Sequence, residues 1–241
     1  MNISKGISYF FSIVGHPLMV VMYMLFLYLK VDKYLFPYSS DRDITTLVLI
    51  IFFTSVLIPV IAILLMMGVG FIKSLEMKDK QERIGPLIVV AISYLWLFLN
   101  IRTHNMIPIP FARFVLGALT AIFIAFFINN FSKISLHGVG IGGLLTGTFY
   151  LTLNHGKGYV VGMIGENALQ LHNIMILVIL LLFSGAVLTS RLHLKAHRMQ
   201  DLIGGVLVGV FGQIVALFYS DVSPSHLSDI LLMNQFYFLS L

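Results

Sequence analysis

Cysteine is absent from this chain. Disulfides, thiolate metal sites and cysteine nucleophiles are excluded together, and the redox compartment leaves no trace in the sequence. Charge is nearly as scarce: 10% of the 241 residues are Asp, Glu, Lys or Arg, against about 25% in an ordinary soluble domain. Apolar residues fill the space, at 59% of the chain, and the mean hydropathy is +0.97. Such a body has too little polar surface to face water, so its solvent is lipid. The composition therefore predicts an all-α, polytopic transmembrane helix bundle of six to seven spans, integral to a membrane. The net charge of +5 sits in short loops with no basic tail. That distribution argues against nucleic acid as a partner and for lipid headgroups or phosphate-bearing ligands.

Apolar runs separated by short polar loops occur at about residues 17–37, 45–71, 86–101, 112–130, 138–154, 172–189 and 202–220, each near the length a bilayer requires. They divide the chain into an N-terminal segment with a first span (1–44), a transmembrane core (45–220) and a tail (221–241) whose partly apolar character places it at the membrane surface. Lys5 is followed by no small-residue cleavage site, so no removable signal peptide is expected. Alternating the spans across the bilayer collects the N-terminus and the loops 72–85, 131–137 and 190–201 on one face. The chemistry gathers there.

The strongest pattern is Ser190-Arg191, five residues, His197, three residues, Asp201. Four fixed residues at fixed spacing arise by chance in such a chain on the order of once in a thousand, from ordinary residue frequencies. With a helix starting near His197, Asp201 lies one turn further along the same face. Its carboxylate then accepts the proton on one imidazole nitrogen and leaves the other free as a nucleophile. Arg191 offers a planar fork of donors suited to a phosphate. A second pattern, Lys133-Ile134-Ser135-Leu136-His137-Gly138, opens another span. Ser135 is a natural N-cap, and the backbone N–H groups after it form an anion site beside His137. A third, Lys78-Asp79-Lys80-Gln81-Glu82-Arg83-Ile84-Gly85-Pro86, brings further cations to the same face.

In these residues the chain resembles the type 2 phosphatidic acid phosphatases, membrane relatives of the vanadium haloperoxidases, whose motifs are K-x6-R-P, P-S-G-H and S-R-x5-H-x3-D. Ser190, Arg191, His197 and Asp201 match the third in full. Ser135 and His137 match the second, with Ile134 in place of proline and Leu136 in place of glycine. The first departs most: Glu76 stands seven residues before Arg83, where the lysine belongs, and the proline comes three residues after the arginine, at Pro86, rather than directly after it. Arg83 is assigned to the motif arginine, with Lys78 or Lys80 as the lysine. The resemblance covers roughly residues 45–220. It implies a six-helix phosphatase core and hydrolysis of a membrane lipid phosphate or diphosphate, undecaprenyl diphosphate among the candidates, without cofactor or metal. His197 attacks phosphorus and forms a phosphohistidine, Asp201 orients it, and His137 protonates the leaving oxygen. Arg83, Arg191, Ser135, Leu136, Ser190 and Lys78 or Lys80 hold the phosphate.

Plainer readings stand beside these. The loop cations serve as snorkelling or topology-setting charges, Ser135 as a helix cap, His193 and Lys195 as rim residues, and His16, His104, His155, His172 and His226 as interfacial or structural groups. Gly138, Gly140 and Gly143 spell G-x-G-x-x-G, but no strand precedes them. With Gly142, Gly147, Gly205 and Gly209 they read as close helix packing in lipid. Two other functions remain open on the residues: a non-catalytic protein that binds or transports a phospholipid, and a metal enzyme using His193 and His197. The motif-bearing face carries nine Lys and Arg against six opposite. Discounting Lys78, Arg83 and Arg191 as phosphate ligands levels that count, so charge does not set sidedness. The resemblance implies the periplasmic face of a bacterial inner membrane.

Overall fold

The structure is a computed structural model that describes residues 3–31, 35–36, 40–74, 77, 79–104, 107–156, 159–164 and 167–219. The chain forms an all-α polytopic bundle. Among the described residues, six helical stretches are long and apolar enough to cross a membrane: Asp41–Gly68, Gln81–Ile101, Ile109–Phe131, Leu136–Asn154, Asn173–His193 and Met199–Leu217. A pair bent by 41°, Ile3–Val14 and Pro17–Val31, adds a seventh if it is one broken span. Outward side chains such as Trp96 (63% exposed), Phe127 (63%) and Leu182 (69%) present the apolar surface that lipid requires.

The elements, in order, are α1 (Ile3–Val14), α2 (Val20–Val31), α3 (Asp41–Phe52), α4 (Ile58–Gly68), α5 (Ile84–Ile101), α6 (Ile109–Phe131), α7 (Leu136–Asn154), β1 (Tyr159–Ile164), β2 (Asn167–His172), α8 (Asn173–His193) and α9 (Met199–Leu217). The two strands pair antiparallel as a hairpin, within a stretch expected only as a loop. Five of the six spans begin two to five residues earlier than hydropathy alone suggests, as first turns precede the apolar runs, whereas α8 begins one residue later, at Asn173. Ser40 caps α3, with its hydroxyl accepting from Asp43 N–H at 3.2 Å. Between α3 and α4 the helix widens to a π-turn over Phe53–Leu57. Pro59 accounts for it: the residue lacks an N–H, and its ring crowds the carbonyl four residues back.

The N-terminal segment is more deeply integrated than a peripheral first span. Val21, Met24 and Leu25 on α2 are fully buried, and they share one core with residues of α3, α5, α6 and α7. The preceding α1 is too short to span at 12 residues. It packs on α8, where a Cβ at Gly15 would run into the Val187 side chain.

The glycine reading holds for the α7–α9 crossing. Added Cβ atoms at Gly142 and Gly209 would overlap the carbonyl oxygens of Val206 and Val139. At Gly138 the Cβ would lie 2.8 Å from the Leu202 carbonyl oxygen. Backbones this close bring Ser135 N–H within 3.1 Å of the Asp201 carbonyl, so the first turns of α7 and α9 are locked together. That crossing sets the Ser135–His137 pattern beside the Asp201 end of the Ser190–Asp201 pattern.

Candidate active site

Ser190 and Arg191 occupy the last turn of α8, and Asp201 the first turn of α9. His197 stands in the tight turn between them, where Ala196 N–H closes onto the Arg191 carbonyl at 3.1 Å and Lys195 adopts a left-handed conformation (φ 54°). The carboxylate of Asp201 accepts from Arg198 N–H at 3.1 Å, and its Oδ2 lies 3.5 Å from His197 Nδ1. That spacing brings imidazole and carboxylate into ion-pair range but is long for a hydrogen bond, and Nδ1 is buried with no hydrogen-bond partner. The expected pairing is present as an alignment that needs a small approach to close.

Arg83 is buried, at 6% exposure. Its Nε donates to the Met77 carbonyl at 2.9 Å and its Nη1 to the Ile134 carbonyl at 3.0 Å. It therefore ties the loop before α5 to the residue preceding Ser135, and holds its charge at the bundle end. Ser135 is the N-cap of α7, accepting from Gly138 N–H at 3.3 Å. His137 Nε2 lies 3.0 Å from the Ser12 carbonyl. A carbonyl only accepts, so Nε2 carries the hydrogen and Nδ1 is the nitrogen left for proton transfer. Arg191 Nη1 donates to the Ser12 hydroxyl.

Four of these groups, Arg83, His137, Arg191 and His197, line one cavity of about 170 Å³. Arg83, Arg191, His16, His137 and His197 line its mouth with Leu136. The rest of the lining is largely apolar, including Val21, Leu87, Val90, Phe114 and Ile122, together with Gly140 and Gly143. Gln213 also lines it, twelve residues along α9 from Asp201, or about 18 Å at helical rise. The cavity is thus a shaft with a cationic mouth at the end of the bundle and an apolar body inside it.

Electrostatics follow from this packing. Burial, then the charges of Arg83, Arg191 and Lys133, hold the His197 imidazole down to about 4, and Asp201 opposes them. His197 is therefore a neutral base at ordinary pH. Burial and the same guanidinium cluster also lower the Lys133 ammonium below its ordinary value.

Several expected site residues stand elsewhere. Lys80 is exposed, and its ammonium binds the carbonyls of Asn130 (2.9 Å) and Phe131 (3.5 Å) at the C-terminus of α6, away from the cavity lining. Asn129 Nδ2 returns a bond to the Lys80 carbonyl at 2.8 Å. Lys80 is thus a helix-end cation, stabilised by the negative pole of α6. Lys78 lies outside the described residues, as does the tail from Ser223 with His226. Ser190 is buried and spends its hydroxyl on the Val187 carbonyl at 2.6 Å. Lys133, also absent from the cavity lining, holds its Nζ on the Ala196 carbonyl at 3.1 Å, one residue before His197, so that its charge acts on that ring. Its place two residues before Ser135 was the signal available in the sequence. His193 and Lys195 are exposed, and His172 caps α8, accepting from Ile174 N–H at 3.3 Å. His16 and Ser12 are the residues that sequence reasoning missed as parts of the site. Among the described residues no cluster of three His, Asp or Glu suited to a metal occurs. No protein-family model, no curated protein and no solved structure matches this chain.

Proposed function

We propose that this chain is a membrane lipid phosphatase that works through a phosphohistidine on His197. One observation carries the reading: two arginines and three histidines converge on the mouth of a shaft whose body is apolar. A phosphate supplies negative charge beside the buried guanidinium groups, and a hydrocarbon chain fills the shaft. The substrate class is thus a lipid phosphomonoester or diphosphate. By resemblance to the type 2 phosphatidic acid phosphatases, the site faces the periplasm from a bacterial inner membrane.

In this mechanism the Nε2 lone pair of neutral His197 attacks phosphorus. His137 Nδ1 first takes the acidic proton of the bound phosphate monoanion; the phosphorus–oxygen bond to the lipid then breaks, and the departing oxygen takes that proton from Nδ1. Asp201 closes on Nδ1–H and stabilises the positive charge that develops on the ring. Arg83 and Arg191 hold the equatorial oxygens, and the nearby charge of Lys133 adds to their field. Water, giving its proton back to His137, then cleaves the phosphorus–nitrogen bond and releases phosphate. The cations supply the charge that a metal supplies in other phosphatases.

The test is phosphate release by the detergent-purified protein from phosphatidic acid, phosphatidylglycerol phosphate, undecaprenyl diphosphate and a lipid A phosphate, in chelating buffer, beside His197→Ala. Release by the unaltered protein and loss of it in the variant are expected; a fully active variant sinks the proposal. A second reading, a protein that binds a phospholipid without turnover, draws on the long His197–Asp201 separation and on Leu136 at the cavity mouth. Binding of those lipids with no release from any of them favours it.

A further inference from the structure

The chain bends by 41° between Ile3–Val14 and Pro17–Val31, and at the bend His16 and Pro17 line the cavity. Two contacts bind it to the site: Ser12 receives Arg191 on its hydroxyl and His137 on its carbonyl. The His16 ring packs edge-on against the His137 ring, with centroids 5.7 Å apart and planes at 79°, and it lines the same cavity as His197. His16 Nδ1 accepts the Leu18 N–H at 3.3 Å. A nitrogen that accepts carries no hydrogen, so the ring proton sits on Nε2. The turn before α2 therefore fixes His16 as a neutral imidazole with a defined donor, at a mouth where the Nε2 hydrogen of His137 is already engaged.

We propose that His16 is a third histidine of the site, donating Nε2–H to a non-bridging oxygen of the bound phosphoryl group. This rests on the lipid phosphatase reading and adds a ligand that none of the three sequence patterns contains. The bend at His16-Pro17 frees the histidine from helical geometry, and the Leu18 N–H orients it. A purely structural role, capping the turn, needs Nδ1 alone.

Two substitutions separate these roles. In His16→Asn the amide oxygen replaces Nδ1 as a cap acceptor, and nothing reaches the place of Nε2. In His16→Gln the amide nitrogen reaches that place and the cap is weakened. The full-length protein in detergent is titrated with inorganic phosphate by ³¹P line broadening, and phosphate release is measured on the lipid that the unaltered protein prefers. His16→Asn is expected to weaken phosphate binding and raise KM about tenfold, the usual loss of a hydrogen bond to a charged group, with kcat and melting temperature nearly unchanged. His16→Gln is expected to recover most of the affinity. Wild-type binding and KM in His16→Asn overturn the inference, and with His197-dependent turnover intact they leave the phosphatase reading standing. Equal losses of affinity in both variants with a fallen melting temperature assign His16 to the cap and also overturn it. An unaltered protein that neither binds phosphate nor hydrolyses any lipid overturns both.

Discussion

Asp201→Asn tests the mechanism most directly. Asparagine keeps the shape and the oxygen that accepts Arg198 N–H, so the first turn of α9 stays capped. What goes is one negative charge 3.5 Å from His197 Nδ1. Before attack that charge faces a neutral ring; afterwards it faces a cation, so the interaction belongs to the transition state. Coulomb's law at an effective dielectric of about 20 gives about 5 kcal/mol at this separation. Asp201 retains 17% side-chain exposure, and screening reduces the figure to about 3–4 kcal/mol. At 1.36 kcal/mol per decade, kcat should fall about 200- to 1,000-fold while KM changes little. The assay is initial-rate phosphate release from lipid in detergent micelles, with a thermal melt to show that the variant is folded. Asp201 is also the group that raises the His197 proton affinity, so the acid limb of the pH profile must not move upward in the variant. A folded Asp201→Asn protein within threefold of wild-type kcat refutes the assignment of charge stabilisation to this carboxylate.

Other consequences are as direct. Because His197 is held down to about 4 rather than near 6.5, the acid limb of kcat/KM should lie near pH 4, and Lys133→Gln should shift it upward by removing one of the cations. The sign for stability is the same: the unfolded chain takes up the proton first, so His197 stabilises fully above about pH 6.5 and loses that contribution as pH falls toward 4, which melting curves across pH will show. Gly142→Ala forces a Cβ into the Val206 carbonyl and should cost at least about 1–3 kcal/mol by overpacking; Gly204→Ala meets nothing within 4 Å and should be neutral or stabilising, both read as melting temperatures. Gly143→Leu places a side chain in the shaft. It should raise KM for a long-chain lipid phosphate more than tenfold, on the order of a few methylenes displaced, and leave a short soluble phosphoester unaffected.

The reach of the sequence and its limits follow from the range of the interactions concerned. The bilayer as solvent, the spans and their order come from composition and local hydropathy, which need no partner. The Ser190–Asp201 pattern was equally legible, because a helix end, a tight turn and a helix start place those residues within a dozen positions of each other. The glycines declared close packing, but only the folded bundle decided that Gly142 and Gly209 meet backbone while Gly143 lines a shaft.

The departures share one cause. Lys80 looked like a phosphate ligand until the end of α6 arrived beside it and took its ammonium. Arg83 gained its fixed position from the Ile134 carbonyl, 51 positions away. Ser12 meets Arg191 across 179 positions, and no local pattern advertises such a pair. Residue types and spacing determined what this protein is dissolved in and which polar side chains stand near one another along the chain. Tertiary packing alone decided which cations face the cavity, because a side chain's partners are chosen by the helices that close around it.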